Sequence, residues 1–235
     1  MMPSSEGQTA PFWSFEDLAL FVGAVFPALA GALLLTQPFH FSNRGLWTLV
    51  FQCIFYVLLL GTLYLLVAWR YQRPFWRSLG WTLEFRRAWL YLLLGPALAI
   101  GLGELAYLLH APGNPAIPDL ITNRASMVAV VLFGALAAPL FEELVFRGFL
   151  QPLLERNMAA WIAIPLTALP FALLHGPGFG WAWQSIMIVG IAGLVMGYVR
   201  HRSGSTAAAA LVHIGYNSTL FAVFLLQRFT LQQSV

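Results

Sequence analysis

Long apolar segments restrict the fold of this sequence more than any other feature. A helix that crosses ~30 Å of hydrocarbon needs about 20 mostly apolar residues. Seven windows approach or exceed that length, and the fifth and sixth are short enough to be tilted, re-entrant or covered by neighbouring helices. The windows are Leu18–Leu35, Leu46–Trp69, Trp89–His110, Ser126–Leu150, Ala160–His175, Trp183–Tyr198 and Thr206–Leu226. The sequence therefore predicts an all-α polytopic integral membrane protein, a bundle of about seven transmembrane helices.

The amino-acid composition argues against a large water-exposed surface. Charged residues make up 9% of the chain and hydrophobic residues 60%, whereas soluble domains average roughly 25% charged residues. No internal repeat or low-complexity linker is visible, and nothing suggests a second domain. We therefore expect a single membrane domain over residues 1–235. The one cysteine, Cys53, cannot form an internal disulfide.

The distribution of arginine predicts the orientation of the chain. All twelve basic residues are arginine, and five of them lie between residues 70 and 87, in one loop between spans. Because positively charged loops stay on the cytoplasmic side, we expect this loop and the N-terminus to be cytoplasmic and the C-terminus to be external. The residues before the first span contain no arginine or lysine, so we do not expect a cleaved signal peptide.

The basic pI of about 9.4 is explained by the same arginines. A basic chain often binds nucleic acid, but these charges are concentrated in the loops between spans, where they set topology. The expected partner is therefore the lipid bilayer and not a nucleic acid. The expected location is the inner (plasma) membrane of a bacterium, with the chain crossing it several times.

Polar side chains inside three of the spans are the strongest functional signal. A charged group within a span costs at least ~2.5–3.5 kcal/mol on insertion scales, so such groups are few and have a reason to be there. The fourth, fifth and seventh windows contain Glu142, Glu143, Arg147, His175, His213 and Asn217. Buried polar residues can also simply hold spans together. We give that interpretation to Glu104 and His110, and we predict that His40 and His201 lie in loops.

Helical spacing predicts which of these side chains share a face. Glu143 and Arg147 are four residues apart and can form an ion pair. Glu142 points about 100° away from Glu143 on a regular helix, so it has no local cation. His213 and Asn217 are also four residues apart and project together from the seventh window.

Glu142 and His175 are predicted to lie level with each other on the fourth and fifth windows. The turn between these windows is expected near Asn157–Met158, fifteen residues after Glu142 and seventeen before His175. In an antiparallel pair of unbroken helices the two side chains then lie within ~3 Å of the same height. Prolines at positions 152, 165 and 170 are able to disturb this register.

The segments FEELVFRGFL, FALLH and HIGYN, in that order, resemble the CPBP family of intramembrane proteases, the CAAX-protease and bacteriocin-processing group also called Abi proteins. Its EExxxR motif corresponds to Glu142, Glu143 and Arg147, its FxxxH motif to Phe171 and His175, and its HxxxN motif to His213 and Asn217. The Gly-rich helix of the family, which ends in a Gly-Ser turn, corresponds to GIAGLVMGYVRHRSGS. The resemblance covers roughly residues 125–227, so the spans within residues 18–110 are expected to be accessory.

The resemblance implies an endopeptidase that hydrolyses peptide bonds of membrane-associated proteins or peptides, with or without a lipid anchor. The site that it implies consists of Glu142, His175, His213, Asn217, Glu143 and Arg147. A non-catalytic membrane scaffold or bacteriocin-immunity protein is the alternative function. A transporter or channel is a third, but repeated halves, which are typical of transporters, are not visible in this sequence.

Two mechanisms suit these residue types. In the metal-free mechanism, Glu142 is the general base, His175 helps to hold the attacking water, and His213 and Asn217 donate hydrogen bonds to the oxyanion. In the metal-dependent mechanism, His175, His213 and a carboxylate bind zinc and leave one position open to water. The sequence contains no HExxH motif, which brings two histidines of one helix to a metal. We therefore favour the glutamate mechanism, which requires no cofactor, and keep zinc as the alternative.

Overall fold

The computed structural model describes residues 11–39, 44–114 and 116–233, and all regular structure within these ranges is helical. Seven principal helices are numbered here in chain order. They are α1 (Phe15–Gly23 and Val25–Thr36), α2 (Arg44–Tyr64, continued by Leu65–Trp69), α3 (Phe85–Leu108), α4 (from Arg124–Leu132 to Gln151–Asn157), α5 (Ala160–Leu174), α6 (Trp183–Ser203) and α7 (Thr206–Gln233). Short helical segments at Phe75–Ser78, Ala116–Leu120 and Gly176–Phe179 lie in the connections.

The prediction of an all-α polytopic membrane protein is confirmed. Six of the helices, all except α5, are long and apolar enough to cross a membrane. The fifth predicted window forms a helix of only 15 residues, which is shorter than a full span. The sixth window, in contrast, is a helix of 21 residues and extends beyond its predicted end.

Helix α4 departs from the regular geometry on which the spacing argument relied. Two stretches, Phe133–Ala137 and Leu144–Leu150, are π-helical. Such wide turns leave backbone carbonyls open to donors from other parts of the chain, and they are frequent at functional sites. Side chains from elsewhere donate to three carbonyls of these stretches: Asn217 to Gly134, Arg200 to Arg147, and Trp13 to Phe149.

One end of the bundle brings together the loop after α2, the turn between α6 and α7, and the N-terminal segment. The backbone N–H of Thr206 donates to Gly80 O at 2.9 Å, and its hydroxyl donates to Leu79 O at 2.6 Å. Arg156, in the last turn of α4, donates to Pro11 O at 2.7 Å. Arg200 Nε donates to the Thr206 hydroxyl at 3.1 Å, so the arginine-rich loop, Arg156 and Arg200 lie at the same end of the molecule.

The N-terminal segment is anchored at this end by polar contacts to the buried side chain of Asp17. Ser14 and Asp17 form a capping box that begins α1. Tyr71, just beyond α2, donates its hydroxyl to Asp17 Oδ2 at 2.6 Å, and Arg70 Nε lies 3.6 Å from Asp17 Oδ1. Partial burial, together with this hydrogen bond, raises the pKa of Tyr71. Trp13 is fully buried and stacks on Phe149 of α4.

Helices α3 and α7 cross in direct backbone contact. A Cβ atom placed on Gly95 would lie 2.5 Å from the backbone N of Tyr216 and from Val212 O, and one on Gly215 would lie 2.4 Å from Leu92 O. Glycine is therefore required at the crossing. The contact fixes α3, which was expected to be accessory, against the helix that carries His213 and Asn217.

The remaining polar residues are those that were expected to hold spans together, Glu104 and His110, or to lie in loops, His40 and His201. Glu104 is exposed near the end of α3, and His110 is exposed just after it. The prediction that His201 lies in a loop is wrong, because α6 continues to Ser203 and His201 Nδ1 lies 3.2 Å from Glu155 Oε1. His40 lies outside the described residues.

Candidate active site

A fully buried ion pair forms the centre of the polar cluster. Arg147 Nη1 lies 2.8 Å from Glu143 Oε1, and both side chains are inaccessible to solvent. Arg147 also donates through Nη2 to Gly193 O on α6 at 2.8 Å, and its guanidinium carbon lies 4.5 Å from the centre of the Phe171 ring. The ion pair predicted from the four-residue spacing is confirmed, and it joins α4 to both α5 and α6.

His213 connects this ion pair with Glu142. Its Nδ1 lies 2.9 Å from Glu143 Oε1, and its Nε2 lies 3.8 Å from Glu142 Oε2. An ionised carboxylate can only accept, so Nδ1 carries the hydrogen and donates it to Glu143. The Nε2 side of the ring is consequently the one that faces Glu142. The two adjacent glutamates thus contact opposite nitrogens of one imidazole.

Glu142 has a second neighbour on α2. Tyr56 donates its hydroxyl to Glu142 Oε1 at 3.3 Å, and Gln52 donates to the Tyr56 oxygen at 3.3 Å. The Tyr56 ring stacks on Phe141, with ring centres 4.0 Å apart, and also contacts Phe133. This contribution of α2 was not predicted, although Gln52 is a polar residue inside an apolar window and lies four residues before a tyrosine.

His175 lies at the C-terminal end of α5. Its Nδ1 is 2.7 Å from Phe171 O, and because a carbonyl only accepts, Nδ1 donates and Nε2 is left with its lone pair. The Phe171 ring contacts both imidazoles, with centres 4.8 Å from His175 and 5.8 Å from His213. The Phe171 ring thus connects His175 with the polar cluster.

The register between α4 and α5 bears on the predicted pairing of Glu142 with His175. Phe146 lies four residues after Glu142 and Phe171 lies four residues before His175, so both are nearer the turn between the helices. The centres of their rings are 5.3 Å apart. Helix α5 is continuous in spite of its internal prolines, and α4 ends at Asn157 as expected. That Glu142 and His175 act on one substrate stays a prediction.

Asn217 is held by α4 at a different level from His213. Its Nδ2 donates to Gly134 O at 2.8 Å, in the first π-helical stretch. Only one of the two amide hydrogens is used in this bond, so the second can be donated to another acceptor. His213 and Asn217 do share one face of α7, and that face is directed at α4.

A ladder of polar contacts joins α4 to the glycine-rich helix α6. Three side chains of α4 at intervals of four residues reach positions of α6 at the same intervals. The pairs are Arg147 with Gly193, Gln151 with Gly197 and Glu155 with His201. A Cβ on Gly197 would lie 2.9 Å from Ile164 and 3.2 Å from Gln151. The glycines of α6 are visible in the sequence, whereas the role of Gln151 was not predicted, although the four-residue series from Arg147 indicates it.

The histidine and carboxylate side chains of the site are the groups that could bind a metal ion. Among the residues that the structure describes, no three His, Cys, Asp or Glu side chains are placed to hold a metal ion. Glu142 and His213 are close to each other, and Nδ1 of His213 is already engaged by Glu143. Zinc binding by His175, His213 and a carboxylate remains the alternative to be tested.

Comparison with protein families gives a match to the second half of the chain. A family model described as Rce1-like, type II CAAX prenyl endopeptidase Rce1-like, matches residues 124–219, from the start of α4 to the middle of α7. Comparisons with curated proteins and with solved structures found no match. The matched segment contains the ion pair, both imidazoles and Asn217, whereas Tyr56 and Gln52 lie before it.

Proposed function

We propose that this multi-pass membrane protein is an intramembrane endopeptidase, because residues 124–219 match the family model of Rce1-like CAAX endopeptidases. It hydrolyses peptide bonds of membrane-associated proteins or peptides, with or without a lipid anchor. The observation that carries the proposal is the contact of Glu142 and His213, which come from separate helices, beside the buried Glu143–Arg147 pair.

Glu142 is the general base in this proposal. Its Oε2 faces His213 Nε2 at 3.8 Å, a separation too long for a direct hydrogen bond but suited to a small oxygen group that contacts both. An attacking water gives its proton to Glu142 as its oxygen bonds to the peptide carbonyl carbon. The carboxyl group then gives this proton to the leaving amine as the C–N bond breaks. His175 helps to hold the water through its Nε2 lone pair.

His213 and Asn217 stabilise the oxyanion of the tetrahedral intermediate. His213 keeps Nδ1 on Glu143, so Nε2 is the ring nitrogen that can donate to the oxyanion. Asn217 uses one amide hydrogen on Gly134 and presents the other. Both groups are held before substrate binds, which is the condition under which such donors are most effective. Glu143 and Arg147 act indirectly, by fixing the His213 ring.

The proposal is tested with purified protein in proteoliposomes and two quenched-fluorescence peptides that differ only in a prenyl group on a CAAX cysteine. Wild-type protein is expected to cleave at least one of them, and Glu142→Gln is expected to abolish cleavage because it keeps the side-chain volume and removes the base. Glu104→Gln, at an exposed position of α3, is the matched control.

If neither peptide is cleaved, membrane proteomes of cells with wild-type or Glu142→Gln protein are compared. The proposal fails if folded Glu142→Gln cleaves at the wild-type rate, or if wild-type protein binds partners without cleaving any.

The same assay tests the requirement for a metal. We expect activity to survive removal of metal ions by a chelator, since the proposed base is a carboxylate. Loss of activity on chelation, with recovery on addition of Zn²⁺, supports the zinc mechanism instead. Zinc content of the purified protein is measured in parallel.

A further inference from the structure

Tyr56 of α2 contacts the proposed general base although it lies outside the segment that matches the endopeptidase family. We propose that Tyr56 is a positioning residue: it holds the Glu142 carboxylate in the orientation needed for catalysis, and Gln52 in turn orients Tyr56. This inference rests on the proposed function. It assigns to the first half of the chain a direct part in the active site.

The direction of the hydrogen bonds supports this role. Gln52 Nε2 can only donate, so the Tyr56 oxygen accepts from it at 3.3 Å and directs its own hydrogen to Glu142 Oε1, also at 3.3 Å. Binding of Oε1 determines which carboxylate oxygen remains available. That oxygen is Oε2, which faces His213 Nε2 at 3.8 Å.

The packing of the Tyr56 ring makes this orientation rigid. The ring stacks on Phe141, the residue that directly precedes Glu142, with an interplanar angle of 17°, and it contacts Phe133 at 5.7 Å. Both partners belong to α4, so the hydroxyl and the carboxylate are fixed in one local unit. Removal of the hydroxyl alone leaves these ring contacts in place.

Tyr56→Phe therefore isolates the hydrogen bond. We expect kcat to fall about 10-fold or more, with KM changed by less than about 2-fold, since the substrate still binds but the base is less well oriented. Gln52→Leu is expected to cause a smaller loss of about 3-fold, because Tyr56 keeps its hydroxyl. Tyr64→Phe is the matched control: it removes a hydroxyl from the same helix at a half-exposed position that packs on Phe75.

A double-mutant cycle provides a readout that does not depend on activity. Tyr56→Phe is expected to lower the melting temperature in detergent by about 2–4 °C in wild-type protein, and by much less in a Glu142→Ala background, where the acceptor is absent. Equal shifts in the two backgrounds show that the hydrogen bond does not exist and overturn the inference.

The outcomes separate this inference from the proposed function. If Glu142→Gln abolishes cleavage and Tyr56→Phe keeps the wild-type kcat, the proposed function stands and the role of Tyr56 is refuted. If wild-type protein cleaves nothing, the proposed function fails and the catalytic role of Tyr56 fails with it. The melting temperatures then still decide whether the Tyr56–Glu142 contact is present.

Discussion

At the scale of single residues, two adjacent glutamates have different environments because they lie on different sides of α4. Glu143 is fully buried and is bound by Arg147 and by Nδ1 of His213. Glu142 is 15% exposed and is bound by Tyr56, with its second oxygen directed at the other nitrogen of His213. These contacts are the reason that we propose Glu142 as the base and give Glu143 the indirect role of fixing the His213 ring.

Arg147→Ala is expected to destabilise the protein strongly. It leaves Glu143 buried without its cation, and breaking a buried ion pair typically costs about 3–5 kcal/mol. Melting temperature and yield of folded protein in detergent measure the effect. Adding Glu143→Gln should restore part of the loss, while Arg202→Ala, at an exposed position, should have little effect. If Arg147→Ala melts like wild type, the ion pair contributes nothing to stability.

Asn217→Ala is expected to reduce turnover by about 10²–10³, the usual cost of one oxyanion donor. It also removes the bond to Gly134 O, so the melting temperature must be measured beside kcat. Combined with Glu142→Gln, it should add little, because residues that act as a unit are not additive. A loss of activity that only parallels unfolding would argue for a structural role of Asn217.

At the scale of helices, glycine and π-helical turns decide how closely the helices approach. Gly193 and Gly197 let the side chains of α4 reach the backbone of α6, and the Gly95–Gly215 crossing brings the backbones of α3 and α7 together. The π-helical stretches of α4 supply the carbonyls that Asn217, Arg200 and Trp13 bind. The positions of the site residues thus depend on contacts between backbones.

Gly95→Ala is expected to disrupt the protein, whereas Gly103→Ala on the same helix is not. The new Cβ at residue 95 meets backbone atoms of Val212 and Tyr216 on α7, and backbone atoms cannot rotate away as side chains can. A Cβ at residue 103 meets no atom within 4 Å. Overpacking costs about 1–3 kcal/mol, and more where backbones must shift. The comparison is made by melting temperature and by cleavage rate. Equal behaviour of the two variants would show that the crossing is looser than described.

At the scale of the whole molecule, the arginine-rich loop, Arg156 and the N-terminal segment lie together at one end of the bundle. The arginine-rich loop meets the turn between α6 and α7 at Gly80, and Arg156 meets the N-terminal segment at Pro11. Exposed aromatic rings, Trp76 and Trp89, flank the same region. Tryptophan is typical of either membrane interface, whereas an excess of arginine is typical of the cytoplasmic one.

Cysteine labelling in a Cys53→Ser background tests this orientation. Arg77→Cys and Arg202→Cys, both at exposed positions, are expected to react only with reagents that reach the cytoplasmic side. Gly113→Cys, in the exposed loop after α3, is expected to react from outside. Labelling of residues 77 and 113 from the same side would contradict the arrangement of the spans.

The sequence by itself determined the fold class, the approximate spans and the Glu143–Arg147 ion pair. Length and hydropathy of each apolar block are local properties, and a four-residue interval on one helix places two side chains together whatever the neighbouring helices do. The motif order also pointed to the helices that carry the site. These features need no knowledge of how separate helices pack.

Only the tertiary structure decided that His213 lies between the two glutamates, that Tyr56 contacts Glu142, and that Gly95 lies against α7. In a soluble helix, apolar periodicity indicates the face that packs on the core. In a membrane, lipid-facing and protein-facing surfaces are both apolar, so the sequence pattern does not reveal how each helix is rotated about its axis. That rotation, and the π-helical turns of α4 that change it, follow from the packing of the whole bundle.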